Sequence, residues 1–187
     1  MKTLVCFGDS NTFGYDPRSY IGGRYPPEER WVDLLADALG LKCVNRGMNG
    51  RCIPRRGEGL RLAEGEGLIV MLGGNDLLCG STAGECAELL REFLLNCTLG
   101  GGALIIAPPP FKRGAWVPED ALVAESRRLA PAYAALAREL GQGFADAGLW
   151  GVELGFDGVH FTPEGHKSFA KGVYGAVKAL LLGKESE

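Results

Sequence analysis

The sequence predicts an α/β fold, a three-layer α/β/α sandwich in which helices cover both faces of a five-stranded parallel sheet. The first observation is that the short candidate strands are apolar along most of their length, which is typical of strands buried on both faces. The second is that helical patterns follow these strands, which indicates parallel strands joined by crossover helices. The third is the length of 187 residues, which fits one domain with a single sheet. We therefore expect one domain over residues 1–187.

The first half of the chain predicts three strands and one well-marked helix. The strands are expected at residues 2–7, 42–45 and 68–72. A polar loop extends from the first strand to Pro27, and the helix that follows ends at Gly40. The apolar face of this helix consists of Trp31, Leu34, Leu35, Ala38 and Leu39. A weak helix is expected around Leu60.

The second half predicts three helical segments and two strands. Thr82 and Glu85 form a capping box that opens a helix with an apolar face. This face consists of Cys86, Leu89, Leu90, Phe93, Leu94 and Cys97. Strands are expected at residues 103–107, before a triple proline, and at 143–145. The helical stretch between them, 119–140, contains Pro131, where we expect a kink or a break. The last helix begins at the Thr162-Pro163 cap and runs to Gly183.

Five parallel strands in a chain of this length predict a flavodoxin-like topology. In such sheets the ligand site lies at the carboxyl ends of the strands. Four segments that follow strands are therefore candidates for the site: 8–14, 46–53, 73–79 and 108–116.

Composition excludes several classes of function. The chain has 23 acidic and 20 basic residues and a net charge of −3, which argues against a nucleic-acid-binding surface. Its aliphatic runs are far shorter than the ~20 residues of a membrane span, and the stretch before Gly8 is too short for a secretory signal. Six cysteines form no Cys-x-x-Cys pair, so we expect free thiols and a cytoplasmic protein.

Ser10 is the first candidate for chemistry. Of six serines, it alone directly follows a predicted buried strand, within Gly8-Asp9-Ser10. A serine on a tight turn from strand to helix can project its hydroxyl into the cleft. Taken alone, a serine at this place is better explained as a helix cap.

The two histidines narrow the choice of a base. His160 follows Asp157 by three residues, a spacing that lets the carboxylate bind imidazole Nδ1 while Nε2 faces a nucleophile. A surface histidine beside a turn aspartate is the alternative. His166 is expected on the face of the last helix. Histidines six residues apart are a poor metal pair, and no Cys/His cluster indicates zinc, so no metal or cofactor is expected.

Two further segments offer hydrogen-bond donors for an oxyanion. Asn75 follows the third strand and carries a side-chain amide, and Gly50 follows the second strand with an accessible backbone N–H. Each segment alone also fits an ordinary turn.

Together the four segments resemble the SGNH hydrolases, also called the GDSL esterase/lipase family. The matching blocks are Gly8-Asp9-Ser10, Gly50, Gly73-x-Asn75-Asp76 and Asp157-x-x-His160, and the resemblance extends from Leu4 to about His166. Asn11 departs from the leucine that the family name implies. Secondary matches to the bacterial arylesterase and acyltransferase branch occur in 6–10, 30–31, 71–73 and the prolines 108–110.

The resemblance implies a serine esterase that works through an acyl-enzyme. Ser10 is then the nucleophile, His160 the general base and Asp157 its orienting partner. The oxyanion hole is implied to consist of the N–H groups of Ser10 and Gly50 and the side chain of Asn75. Carbohydrate O-acetylesterase, lysophospholipase and thioesterase activities remain alternatives within the family. An α/β-hydrolase is disfavoured because Thr12 stands where the Gly-x-Ser-x-Gly elbow has glycine.

The substrate is expected to be a small ester with a short acyl chain, because 187 residues leave no room for a large lid. Candidate substrate-binding residues are Asp9, Asn11, Phe13, Arg51, Ile53, Leu77, Phe111, Trp116 and Val159. The arginine-rich stretch 46–61 fits a solvated loop, an anion-attracting surface or a contact with a second copy in a homo-oligomer.

Two hypotheses from other classes of function are alternatives to an esterase. A flavodoxin-like phosphate or nucleotide binder would use 8–12 as an anion loop, although no Gly-x-Gly-x-x-Gly or Walker pattern occurs. A non-catalytic scaffold of the same fold would be expected to lack part of the triad.

Overall fold

A computed structural model describes residues 3–19, 21–55 and 57–183. The strands are β1 (Thr3–Gly8), β2 (Lys42–Gly47), β3 (Glu66–Met71), β4 (Ala103–Ala107) and β5 (Gly143–Asp146). The α-helices are α1 (Ser10–Phe13), α2 (Trp31–Leu39), α3 (Gly74–Leu78), α4 (Ala83–Leu95), α5 (Asp120–Ser126), α6 (Leu129–Glu139) and α7 (Pro163–Gly183). Short 3₁₀ helices span Pro27–Glu29 and Ala147–Leu149.

The five strands form one parallel sheet in the order β2-β1-β3-β4-β5, which confirms the predicted fold class. β1 is flanked on both sides, and its last residue, Gly8, pairs with Gly47 of β2 and Met71 of β3. The carboxyl ends of three neighbouring strands therefore meet at one level, directly before Ser10 and Asn75.

Each face of the sheet is covered by its own hydrophobic core. On β1, Val5 and Phe7 belong to the core beneath α4 and α6, whereas Leu4 and Cys6 belong to the core beneath α2 and α7. Successive side chains of a strand point to opposite faces, so an apolar run can fill both layers at once. These two cores hold the sheet whose carboxyl edge carries α1 and α3.

The weak helix predicted around Leu60 is wrong. The described residues between β2 and β3 contain no helix; there, Leu60 accepts a hydrogen bond from the Thr98 N–H (2.8 Å) and the Leu62 N–H donates to Thr98 (3.0 Å). The backbone groups that a helix would use internally are thus paired with Thr98, which lies beyond the end of α4. Gly57 and Gly59 also lower the helical propensity of this segment.

The predicted helical stretch 119–140 is broken, but not at Pro131. α5 ends at Ser126 and α6 begins at Leu129, so that Pro131 is the third residue of α6. Proline is tolerated in the first turn of a helix, where its missing N–H has no partner within the helix. At the end of the chain, the Thr162 hydroxyl accepts a hydrogen bond from the Gly165 N–H (3.0 Å) and caps α7 as expected. No described helix is long and apolar enough to cross a membrane.

Candidate active site

Ser10, His160 and Asp157 form a continuous chain of buried hydrogen bonds. Ser10 is the first residue of α1, directly beyond β1, and His160 and Asp157 lie in the loop before α7. The Ser10 Oγ is 2.9 Å from His160 Nε2, and His160 Nδ1 is 2.7 Å from Asp157 Oδ2. All three side chains are buried. A carboxylate on Nδ1 favours the tautomer in which Nε2 accepts the Ser10 proton.

Asp157 also shapes the loop that carries the histidine. Its Oδ1 accepts hydrogen bonds from the N–H groups of Val159 and His160, both at 2.9 Å. Burial alone would raise the pKa of Asp157, but these bonds and the one from the imidazole outweigh it, and the pKa is lowered. Asp157 is therefore ionised at neutral pH and able to stabilise a positively charged imidazole.

Two aromatic rings lie against the His160 imidazole. The ring centroid of Tyr15 is 4.7 Å away and that of Trp116 is 4.9 Å away. Trp116 stands edge-on to the imidazole, and half of its surface is exposed. The backbone N–H of Trp116 donates to the carbonyl of Asp157 (3.0 Å), so the main chain at Trp116 is tied to the histidine loop.

The two candidate oxyanion donors beyond Ser10 lie on adjacent segments. Asn75 is the second residue of α3, and its Nδ2 donates to the carbonyl of Arg51 (3.0 Å), which leaves one amide hydrogen for another acceptor. Gly50 lies in a tight turn closed by the bond from the Arg51 N–H to Met48 O (3.2 Å). The φ of Gly50 is +71°, a value that favours glycine at this position of a turn. The Met48 N–H donates to Gly8 O (3.2 Å), which seats the turn against the end of β1.

Asp9 lies directly before the serine and is buried. Its Oδ1 accepts a hydrogen bond from the Asn11 N–H (2.9 Å) and caps α1. Burial raises the pKa of Asp9 to about 6, against hydrogen bonds and the proximity of His160 that lower it. The charge of this carboxyl group therefore changes within the range in which many enzymes operate.

Asn11 was predicted to contact substrate, but its side chain is used internally. Its Nδ2 donates to Val159 O (3.2 Å), and its Oδ1 accepts from the Phe161 N–H (2.9 Å). This link between α1 and the histidine loop joins residues about 150 positions apart and could not be inferred from spacing. The polar residue at a position for which the family name implies leucine was the only signal of it.

The other predicted pocket residues are distributed between the core and the surface. Ile53, Leu77, Phe111 and Val159 are buried in the core that includes Phe7. Phe13 is half-buried beneath the guanidinium of Arg24 (4.6 Å to the ring centroid). Arg51 is half-buried and donates from Nη1 to Gly8 O (2.8 Å). Trp116 is the one that combines exposure with contact to His160.

His166 lies on the last helix, α7, as expected, and it is buried. Its Nδ1 accepts a long hydrogen bond from the Trp31 N–H (3.4 Å), and its ring lies edge-on to Tyr25 and Phe161. Burial lowers the pKa of His166 to about 3, with further lowering by the charges of Arg30 and His160. Among the described residues, no group of three or more His, Cys, Asp or Glu side chains is arranged to hold a metal ion.

Several solved structures have the same fold as this chain. A protein assigned as an arylesterase, from Agrobacterium tumefaciens str. C58, is 28% identical with a TM-score of 0.77, over 96% of this chain and 99% of that one. A carbohydrate acetylesterase family member from Sinorhizobium meliloti is also 28% identical, with a TM-score of 0.78 over 97% and 99%. The M. smegmatis aryl esterase, at 24% identity and a TM-score of 0.76 over 96% and 100%, shares the fold.

Comparison of the sequence with models of protein families identifies the family of this chain. No curated protein sequence matches this chain. The model of the GDSL-like Lipase/Acylhydrolase family, however, matches residues 6–168, a range that includes Ser10, Gly50, Asn75, Asp157 and His160. The protein therefore belongs to the GDSL-like lipase/acylhydrolase family.

Proposed function

We propose that this protein is a serine esterase that hydrolyses short acyl esters of small alcohols through an acyl-enzyme on Ser10. The observation that carries the proposal is the chain of hydrogen bonds from Ser10 Oγ to His160 (2.9 Å) and from His160 to Asp157 (2.7 Å). A serine hydroxyl is a weak nucleophile unless an adjacent base removes its proton. His160 is in contact with that hydroxyl.

The reaction proceeds in two displacements. As Ser10 Oγ attacks the ester carbonyl carbon, its proton passes to His160 Nε2, and Asp157 stabilises the imidazolium that forms. The negative charge on the carbonyl oxygen is held by the N–H groups of Ser10 and Gly50 and by Asn75 Nδ2. His160 then protonates the leaving alcohol as the C–O bond breaks. A water molecule, deprotonated by His160, attacks the acyl-enzyme, and Ser10 leaves with the proton returned.

A short acyl chain is supported by the packing around the nucleophile. Ile53 and Leu77 are at most 2% exposed and belong to the core beneath α4 and α6, so they offer little surface to a long acyl chain. A Cβ added at Gly74, the first residue of α3, would be in ordinary van der Waals contact with the ring of Phe111 (3.7 Å), so this ring borders the start of α3. We infer that acetyl and propionyl groups fit better than long chains.

Carbohydrate deacetylation is a second candidate, favoured by two observations. The similar Sinorhizobium meliloti protein is a carbohydrate acetylesterase family member. The half-exposed indole of Trp116 lies beside His160, which must protonate the departing alcohol. A flat apolar ring at that place suits the face of a sugar as well as that of a phenol.

The test uses purified wild type and Ser10→Ala with p-nitrophenyl acetate through octanoate, and a fluorophosphonate probe. We expect turnover that is fastest for acetate or propionate, and we expect both turnover and labelling to be lost in the variant. Release of acetate from acetylated sugars, compared with phenyl acetate, separates the two candidate substrate classes. A folded wild type without turnover or labelling would contradict the proposal and favour a phosphate-binding or scaffold role. Activity that rises steadily to long chains would contradict the expected acyl length.

A further inference from the structure

We propose that Arg51 is a positioning residue of the oxyanion hole, which holds both Asn75 and the turn of Gly50 against the end of β1. The proposal rests on the proposed function, because it concerns donors that act only when an oxyanion forms. Arg51 lies directly after Gly50, in an arginine-rich stretch that is otherwise compatible with a solvated loop. Its side chain bonds to the end of β1, whereas Arg55 faces Asp76 and Arg61 donates to Asn96 O.

The main chain of Arg51 orients Asn75. The Arg51 carbonyl accepts one hydrogen of the Asn75 side-chain amide at 3.0 Å. The amide is planar, so fixing one N–H fixes the direction of the other. The Arg51 N–H closes the turn that contains Gly50 by donating to Met48 O. One residue thus touches the supports of two separate donors.

The side chain of Arg51 anchors the turn to the sheet. Its Nη1 donates to Gly8 O (2.8 Å) and to Arg46 O. Gly8 ends β1 two residues before Ser10, and Arg46 lies near the end of β2. The guanidinium therefore connects the turn to the strand that positions the nucleophile.

Stacking and charge hold the guanidinium in this place. Its central carbon is 4.2 Å from the ring centroid of Phe7, which is itself stacked on Phe93 in the core (5.3 Å between centroids). Burial lowers the pKa of Arg51, and the nearby carboxyl group of Asp9 offsets part of this effect. Planarity and several donors in one plane allow arginine to stack and donate together, which a lysine ammonium cannot do. The side chain of Arg46, five residues earlier, is by contrast exposed.

Loss of this anchor should act on the chemical step more than on binding. A displacement of about 1 Å at a reacting centre costs roughly 100-fold in rate. Oxyanion contacts strengthen in the transition state, so their loss lowers kcat and leaves KM largely unchanged. For Arg51→Ala we expect kcat to fall about 10- to 100-fold, within the range set by misplacement of a donor.

The experiment measures kcat and KM for p-nitrophenyl acetate in Arg51→Ala, Arg51→Lys and Arg46→Ala, each checked by thermal melting. Arg46→Ala removes the same charge from an exposed neighbour and should keep wild-type kcat. Arg51→Lys should recover only part of the loss. In the double variant Arg51→Ala/Asn75→Ala, the combined loss should be clearly smaller than the product of the single losses, because both act on the same oxyanion.

Three results would overturn the proposal: unchanged kcat in folded Arg51→Ala, a loss confined to KM, or losses that multiply fully with Asn75→Ala. If Arg51→Ala does not fold, the test rests on Arg51→Lys. A folded Arg51→Lys with wild-type kcat would show that no planar guanidinium is needed and would overturn the proposal, whereas a reduced kcat would support it. A wild type and Asn75→Ala that are both inactive contradict the proposed function. An active wild type with a strong Asn75 effect and no Arg51 effect contradicts only the role of Arg51.

Discussion

The side chain of Asn11 binds the backbone on both sides of His160. Its amide donates to Val159 O at 3.2 Å and accepts from the Phe161 N–H at 2.9 Å. The Asn11 carbonyl accepts from the indole N–H of Trp31 (3.1 Å), so the clamp is itself fixed to α2. Since Asn11 follows Ser10 directly, the clamp ties Ser10 to the loop that carries His160, the proposed base.

Replacement of Asn11 by leucine should damage both stability and turnover. The change leaves a buried N–H and a buried carbonyl without partners, and we expect a loss of about 2 to 4 kcal/mol in the free energy of unfolding. Because His160 is then free to shift, kcat should fall about 10-fold or more. Urea unfolding and ester hydrolysis measure the two effects. Asn11→Asp, which keeps an acceptor for Phe161, should lie between wild type and leucine; equal turnover in all three would contradict the clamp.

Replacement of Asn75 by alanine tests the side-chain donor of the oxyanion hole. We expect kcat to fall roughly 10²- to 10³-fold with little change in KM. Steady-state kinetics with p-nitrophenyl acetate measure this. Asn96→Ala, at the exposed end of α4, is the control and should retain activity. The role of Asn75 fails if its purified alanine variant turns over like wild type.

Alanine substitutions at Gly50 and Gly40 distinguish the effect of backbone strain on stability from an effect on catalysis. Both have positive φ (+71° and +62°), and a side chain added at either would meet nothing within 4 Å. Alanine at either position should therefore cost about 1 to 2 kcal/mol of stability from the left-handed backbone. Only Gly50→Ala should also lower kcat, because only that turn carries a proposed oxyanion donor. Equal effects on kcat would show that strain alone is responsible.

Asp9→Asn should stabilise the protein in a pH-dependent way. The pKa of Asp9 is about 6 in the native protein and 3.8 ordinarily, so the native carboxyl group holds its proton more tightly than the unfolded one. Wild-type stability is therefore lost as pH rises between about 4 and 6. Asparagine keeps the helix cap without the charge. The gain in unfolding free energy should be about 2 kcal/mol larger at pH 8 than at pH 4.5, and urea titrations at both values measure it. A gain independent of pH would refute the assigned titration.

His166 should make stability depend on pH in the opposite direction to Asp9, because this histidine is buried in its neutral form. Its pKa is about 3 in the native protein and 6.5 ordinarily, so the unfolded chain takes up a proton first as pH falls below 6.5. Between pH 7 and pH 5 this costs about 2 kcal/mol of stability. In His166→Phe, which suits the surrounding rings, that part of the acid-induced loss should disappear. Urea unfolding at the two pH values is the measurement, and an unchanged pH dependence would count against it.

Most of the fold could be predicted from the sequence because its strands carry a local signal. A short apolar run that is ended by a proline, such as 103–107, is typical of a buried strand. The segment around Leu60 failed because its backbone pairs with Thr98, a contact between distant positions that no local pattern encodes. Pro131 was misjudged for a different reason: its effect depends on whether it lies inside a helix or in the first turn.

The motifs of the candidate site could be predicted from the sequence, but the hydrogen bonds that hold its residues in place could not. Ser10, Asn75 and His160 each follow a strand or precede a helix, which makes them visible in sequence. The supporting contacts of Asn11 and Arg51 run from a side chain to a distant carbonyl or N–H, and spacing carries no information about them. The burial of His166 could not be predicted from its place on α7, because its surroundings come from α2 and from the histidine loop as well as its own helix.

Ser10 and His160 are 150 positions apart in the chain, and their hydrogen bond joins the first strand to the loop before the last helix. Contacts of such sequence separation form late, because a long stretch of chain must be ordered first. During refolding from denaturant, secondary structure should therefore return before reactivity toward a fluorophosphonate. Labelling of Ser10, the proposed nucleophile, should therefore report only those molecules in which α1 and the histidine loop have come together, and so follow the last stage of folding.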